Sequence, residues 1–198
     1  NQESSSPMHQ GRPLQGTLAE QYLREHRKIK GDLSADLRYL PFFIDTGSKQ
    51  SFPCLMVGAR SPSKELTAVQ LTFLHPATAA KADIDSPKKS FGVIKGSAVT
   101  LQENSLDKTT RNGNKTSNIL FIAEGVETAL SLKSAGIQGT IKASLGLSNI
   151  KRLIPEKAEM PIVICADHDA PLSPATKSLE KSVTSLRESG YSVRVIKP

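Results

Sequence analysis

Hydrophobic and polar positions change rhythm part-way along the chain. In residues 118–198 short apolar runs alternate with stretches of helical periodicity, the pattern of a parallel sheet whose strands are joined by helices. Four strands are predicted, over residues 119–123, 140–143, 162–166 and 192–196. Val126, Ala129 and Leu130 recur at three- and four-residue spacing and predict a helix that Gly136 closes as a C-cap. A short helix is expected around residues 149–154, stopped by Pro155. A longer one opens on Ser173 as N-cap with Pro174 as its first residue. Thr176, Leu179, Val183 and Leu186 give it an apolar face, and Gly190 ends it.

The first half reads differently. Residues 1–16 show almost no apolar spacing and predict a loosely held tail. Thr17-Leu18-Ala19-Glu20 is a capping box that starts an amphipathic helix running to about Lys28. Residues 37–43 are apolar but broken by Pro41, which predicts an extended, turning segment. Residues 52–57 and 66–74 predict two antiparallel strands. In the second, Ala68, Gln70 and Thr72 alternate with Val69, Leu71 and Phe73. A short strand is expected at 98–101, and residues 103–117 carry no core pattern. The expected organisation is a tail (1–16), a small α+β subdomain (17–102), a linker (103–117) and an α/β domain (118–198).

Composition fits a globular protein with 37% hydrophobic and 23% charged residues. No apolar run is long enough to span a bilayer, and the polar start resembles no signal peptide. The two cysteines, Cys54 and Cys165, lie in apolar runs. They read as reduced core residues, which suits a cytoplasmic location and leaves no zinc site to build. Charge is uneven. Residues 118–198 hold ten basic and eight acidic side chains, so +5 of the formal +7 falls to residues 1–117. That excess is compatible with a surface for nucleic-acid phosphates.

Glu124 follows the first predicted strand of the α/β domain directly, and Gly125 separates it from the helix that carries Glu127. An acid there can simply favour the helix dipole or cap the first turn. The run at 162–166 ends in the same way, in Asp167-His168-Asp169. Two parallel strands ending in acids gather four carboxylates at one sheet edge, the edge where open α/β sheets bind ligands. Such a cluster repels itself without a cation, and hard divalent ions prefer oxygen ligands. Mg²⁺ is the candidate, with Mn²⁺ as a substitute. Gly125 allows close backbone approach, and Ser144-Leu145-Gly146 offers amides near the same edge. His168, between the aspartates, is expected to face the other side.

Together these three motifs (Glu124-Gly125-Val126-Glu127, Ala143-Ser144-Leu145-Gly146 and Asp167-His168-Asp169) resemble the Toprim domain of bacterial DNA primases, topoisomerases and some nucleases. Their order and spacing look most like the primase branch, particularly primase-like proteins of phages, plasmids and conjugative elements. The resemblance covers residues 118–198. It implies a Rossmann-like, mainly parallel four-stranded sheet. It also implies Glu124 as metal ligand or general base, and Glu127, Asp167 and Asp169 as metal ligands.

Residues 17–102 are similar, in fewer features, to the basic subdomain that precedes Toprim in primases. The features are the paired strands, Pro87-Lys88-Lys89, Gly96 before a strand, and Arg38-Tyr39-Leu40-Pro41. Arg38, Lys88, Lys89 and Lys95 are then candidates for phosphate contact, with Gly125, Ser144 and Gly146 on the other side. The implied function is metal-dependent nucleotidyl transfer, primer synthesis on single-stranded DNA from nucleoside triphosphates, with helicase or relaxase domains as partners. A non-catalytic DNA-binding accessory domain and a Toprim nuclease are the alternatives. Two departures stand out. Relatives usually carry a Gly shortly after the second Asp, where this sequence reads Asp169-Ala170-Pro171-Leu172-Ser173. The zinc ribbon and helicase-binding parts of a replicative primase have no counterpart in these residues.

Overall fold

The fold is taken from a computed structural model, which describes residues 7–33, 36–104, 118–156, 160–166 and 173–197. The chain divides into two compact units, Asn1–Ile94 and Lys95–Pro198. Among the described residues no helix is long and apolar enough to cross a membrane.

In the first unit β1 (Leu37–Ile44), β2 (Ser51–Arg60), β3 (Leu66–Phe73) and β4 (Lys88–Gly92) form an antiparallel sheet in chain order. β2 is central and buried from residue 52 to residue 59, which is why its sequence is an unbroken apolar run. Phe52, Cys54 and Met56 pack with Val69, Leu71 and Phe73 on one face of the sheet. Leu55, Val57 and Ala59 are buried between them in the sequence and so face the other side. Val69, Leu71 and Phe73 alternate with Ala68, Gln70 and Thr72 as the sequence predicts. Thr17 caps the helix α2 (Leu18–Gln21), accepting from the Glu20 amide at 3.4 Å, while the Glu20 carboxylate accepts from the Gly16 amide at 2.8 Å. The helix then widens into a π turn over Tyr22–His26, closed by Arg27 N–H on the Tyr22 carbonyl at 3.1 Å. Tyr22 and Leu23 are buried, and α2 lies against β1 and β2.

Three expectations for this half need correction. The described part of the expected tail, residues 7–16, packs on the unit: α1 (Pro7–Gln10) is helical, Arg12 exchanges two 2.8 Å backbone hydrogen bonds with Tyr39, and Leu14 is buried. A backbone bridge needs no apolar pattern, so composition does not reveal it. Pro41 does not break β1. It sits where the register with β2 slips, between Leu40 and Phe43, a place where a missing N–H is tolerated. Lys88 and Lys89, which fall in no predicted strand, begin the strand β4, whose residues are exposed or only partly buried and show no alternation.

The second unit holds β5 (Val99–Gln102), β6 (Leu120–Ala123), β7 (Thr140–Ala143), β8 (Ile162–Cys165) and β9 (Val193–Ile196) in the order β5-β7-β6-β8-β9. β6 to β9 are mutually parallel, as the alternation of strands and helices predicts. The expectation of four strands is corrected to five, because β5 pairs antiparallel with β7 at the edge. By sequence position β5 belongs to the preceding subdomain (17–102). Its sequence gives no hint of a partner that lies far downstream, and with it Lys95 moves into the second unit. The expected linker falls, from residue 105 to 117, outside the described residues.

Leu120 and Ile122 pack with Ile150, Leu153, Ile162, Ile164 and the buried face of α4 (Pro174–Glu188), namely Leu179, Val183 and Leu186. α3 (Val126–Ser134) packs on β5, β6 and β7 and buries Val126, Ala129 and Leu130. Ser173 caps α4 by accepting from the Thr176 amide at 3.1 Å, with Pro174 in the first turn. Gly136 follows α3 at φ 74°.

Gly139, just before β7, has φ +147°, and a Cβ there would sit 2.6 Å from the Ile119 carbonyl oxygen and 2.8 Å from the Phe121 ring. Gly139→Ala is therefore expected to destabilise the second unit by about 1–3 kcal/mol, read as a lower denaturant midpoint with unchanged slope.

Candidate functional site

β6 lies between β7 and β8, and its last residue, Ala123, is in register with Ala143 and Cys165. Three parallel strands thus end side by side. From β6 the chain leaves through α3 to reach β7. From β8 it leaves through α4, which packs in the core cluster with Leu120 and Ile122, to reach β9 on the opposite side. Adjacent strands whose connections part in this way form the topological switch point at which open sheets bind ligands.

Glu124 is the first residue released from β6. Its N–H donates to the Cys165 carbonyl at 3.4 Å and its carbonyl accepts from Leu145 N–H at 2.9 Å; its side chain is partly buried. Glu127, in the first turn of α3, is 4% exposed, and its carbonyl accepts from Ser131 Oγ at 2.9 Å. Gly125 is the N-cap of α3 at φ −106°, a conformation any residue adopts.

Asp167, His168, Asp169 and Pro171 lie outside the described residues. The backbone does bring the strand end that precedes Asp167 next to Glu124. Among the described residues, no group of three or more His, Cys, Asp or Glu side chains is arranged to hold a metal ion. The donors that are described at the edge, two carboxylates, are of the hard oxygen type that Mg²⁺ and Mn²⁺ prefer.

The loop after β7 corrects one expectation. Ser144 does not offer its amide outward: Ser144 N–H donates to the Ala123 carbonyl at 2.9 Å. Its hydroxyl, fully buried, reaches the Ala123 and Gly146 carbonyls at 3.2 and 3.1 Å. Leu145 and Gly146 both have positive φ, 59° and 153°, so Gly146 is needed for its backbone conformation. Asn149 was missed. It is 4% exposed and its carboxamide binds Gly96 N–H, the Ser97 carbonyl and the Ser144 carbonyl. In the sequence it is one polar residue at the start of a predicted short helix, with nothing to mark it.

The four basic candidates divide. Lys95 is exposed and precedes β5, whose Val99 pairs with Ala143. That pairing puts the start of β5 at the same carboxyl edge. Arg38 is partly buried and donates to the Leu37 carbonyl at 3.2 Å; Lys88 is partly buried on β4. Lys89 forms an ion pair with Asp45, lies 3.4 Å from Thr46 Oγ1, and sits 5.9 Å from the centre of the Phe73 ring. Its charge is answered inside the unit. Burial pushes the Cys54 thiol up to about 12 and Cys165 to about 11, so both stay protonated, as reduced core residues should.

Residues 2–101, about half of the chain, match the family described as a domain of unknown function (DUF7146), and residues 119–198 match the Toprim domain. The chain belongs to the DUF7146 family and carries a Toprim domain. Its fold is similar to a crystal structure of a DNA primase domain from Pseudomonas aeruginosa, at 16% identity and TM-score 0.43, covering 80% of this chain and 48% of that one. It is also similar to the primase fragment of the bacteriophage T7 primase-helicase protein, at 13% identity and TM-score 0.46, covering 87% and 58%. The chain thus spans about half the length of these structures. No curated protein matches it.

The buried Asp45 carboxyl is held well below the usual carboxylate range, first by the Lys89 ammonium and then by the Ser48 amide, 2.6 Å from Oδ2. A depressed carboxylate contributes stability above its unfolded value of about 3.9, and loses that contribution as pH falls towards its folded value. Asp45→Asn should therefore lower the melting temperature at pH 7, and the gap to the parent should close below about pH 4. A gap independent of pH would show that the pair contributes no charge-dependent stability.

Proposed function

We propose that the chain is a metal-dependent nucleotidyltransferase of the primase kind, working on single-stranded DNA with nucleoside triphosphates in a mobile-element replication or conjugation protein. The observation that carries this reading is the placement of Glu124 and Glu127 at the switch point of a Toprim sheet, beside the strand end that leads to Asp167. The partly buried Glu124 can meet a substrate hydroxyl as general base or ligand. Glu127, almost wholly buried, fits a residue that meets a small ion rather than a nucleotide. Asp167 and Asp169 would complete the oxygen donor set. When bound, Mg²⁺ or Mn²⁺ would neutralise triphosphate charge at this edge. Helicase or relaxase domains are the expected protein partners.

The test is primer synthesis on single-stranded DNA with Mg²⁺ or Mn²⁺. The parent should extend, and Glu124→Gln should lose about 10²–10⁴-fold in rate. Mn²⁺ should also raise the parent's melting temperature, as any ligand of the folded state does, and Glu127→Gln should reduce that rise. Pro171, in the stretch after the second Asp where relatives usually carry a Gly, favours the accessory-domain reading instead. No product from the parent or from Pro171→Gly, with single-stranded DNA still bound, would establish that second reading.

Single-stranded DNA is expected on the first unit, which carries twelve basic against nine acidic side chains, while the second unit holds the other +4 of the formal +7. Lys88→Ala should weaken binding and lower the salt slope by about 0.7 if one phosphate contact is lost. Lys89→Ala should chiefly lower the melting temperature, since its partner Asp45 is left buried and unpaired. An unchanged affinity and salt slope in Lys88→Ala would remove Lys88 from the phosphate surface.

A further inference from the structure

We infer that Asn149 is a positioning residue for the carboxyl edge of the Toprim sheet: its carboxamide ties the Lys95-Gly96-Ser97 segment to the Ser144-Leu145-Gly146 loop and so fixes the backbone that holds Glu124. Gly96 N–H donates to Asn149 Oδ1 at 2.8 Å, and Nδ2 donates to the Ser97 carbonyl at 2.8 Å and to the Ser144 carbonyl at 2.9 Å. The orientation of the amide follows from chemistry, because an N–H can only face the oxygen and two carbonyls can only face the NH₂ group. Both donor hydrogens and one acceptor position are used, at 4% exposure.

The bonds continue from there to the acid. With its carbonyl on Asn149, Ser144 has its N–H and hydroxyl on the Ala123 carbonyl. The next residue, Leu145, donates its N–H to the Glu124 carbonyl at 2.9 Å. Leu145 adopts φ +59°, a conformation that disfavours an L-residue by about 1–2 kcal/mol and persists only where neighbouring bonds impose it. The Asn149 backbone N–H, which the substitutions below leave in place, adds one more bond to this loop, donating to the Gly146 carbonyl at 3.1 Å.

Packing alone does not call for an amide here. Ile150 and Leu153, on the same 3₁₀ turn (Leu147–Leu153), supply the apolar contacts, whereas a buried amide is tolerated only when its hydrogen bonds are made. All three partners of this one are backbone groups at the sheet edge. On the same segment Lys95 is carried to that edge, one residue before Gly96.

The inference rests on the proposed function only for its metal readout, so two measurements are combined. Backbone amide exchange at Leu145, compared with residues 121–123 of β6, reads the loop directly; Mn²⁺ titration reads the carboxylate edge. Asn149→Ala should speed Leu145 exchange while leaving β6 protected, and should weaken Mn²⁺ binding by less than the about 10–100-fold that loss of a direct partner of a metal ligand costs. Leu153→Ala removes packing from the same turn without touching the amide. It should lower the melting temperature yet keep parental Leu145 exchange and Mn²⁺ affinity. If Asn149→Ala does not fold, Asn149→Asp, which keeps the Gly96 acceptor but turns lone pairs on two carbonyls, takes its place with the same expectations. Unchanged exchange and affinity in the Asn149 variant, or equal changes in Leu153→Ala, would overturn the inference. If the parent binds no Mn²⁺, the metal-site reading falls, and exchange at Leu145 alone decides the role of Asn149.

Discussion

A strand that is hydrogen-bonded on both sides and buried on both faces can carry no charge along its length. β6 is such a strand: it pairs with β7 and β8, and all four of its residues are buried. The chain can therefore place a carboxylate only where the ladder stops, at Glu124. The same constraint acts on β8, whose last residue, Cys165, is buried and held protonated. Because α3 begins two residues after Glu124, the second acid falls in its first turn, where the positive end of the helix dipole favours a carboxylate. That field eases the burial of Glu127 without requiring an ion. It also means that burial of Glu127 is compatible with the candidate site rather than a signature of it.

The parts of the fold that were legible are those in which each element states its own burial. The apolar runs of β6 and β8, the periodicity of α3 and α4, the Ser173-Pro174 start and the Gly136 stop all express local chemistry, and the structure follows them closely. What stayed hidden depends on a partner. β5 has two buried residues, Val99 and Leu101, alternating with partly buried ones, a pattern that would serve either sheet. Only its pairing with β7 decides, and that contact is not written in β5. β4 is hidden for the opposite reason: as an edge strand exposed along most of its length, it has nothing to alternate.

Charge counts misled in a related way. The +5 excess before residue 118 is a net of sixteen basic and eleven acidic side chains, and it does not say which cations have an internal partner. Lys89 is held by Asp45 and packed over Phe73, and Arg60 is held by Asp36 at 2.8 Å. Such pairs add nothing to a surface for phosphates, so a basic subdomain has fewer candidate contacts than its sequence suggests. Lys95 shows the converse. Its place in the sequence suggested the basic subdomain, while its neighbour Gly96 is bonded to the second unit's own Asn149.

The prolines near the second acidic strand end need the same separation of causes. Pro171 and Pro174 together look like a stiffened loop in place of a flexible glycine. Pro174, however, is accounted for by α4: it stands in the first turn, where a helix has no use for the missing N–H, and Ser173 before it caps the helix through the Thr176 amide. A helix start of this kind would be expected whatever the loop does. Only Pro171 is left as a departure from the pattern the sequence resembles, and a proline restricts itself and the residue before it rather than the whole connection. The case against catalysis that the sequence suggested is thereby reduced to one position, while the strand ends that frame the site, at Glu124 and Ala166, are set by the sheet itself.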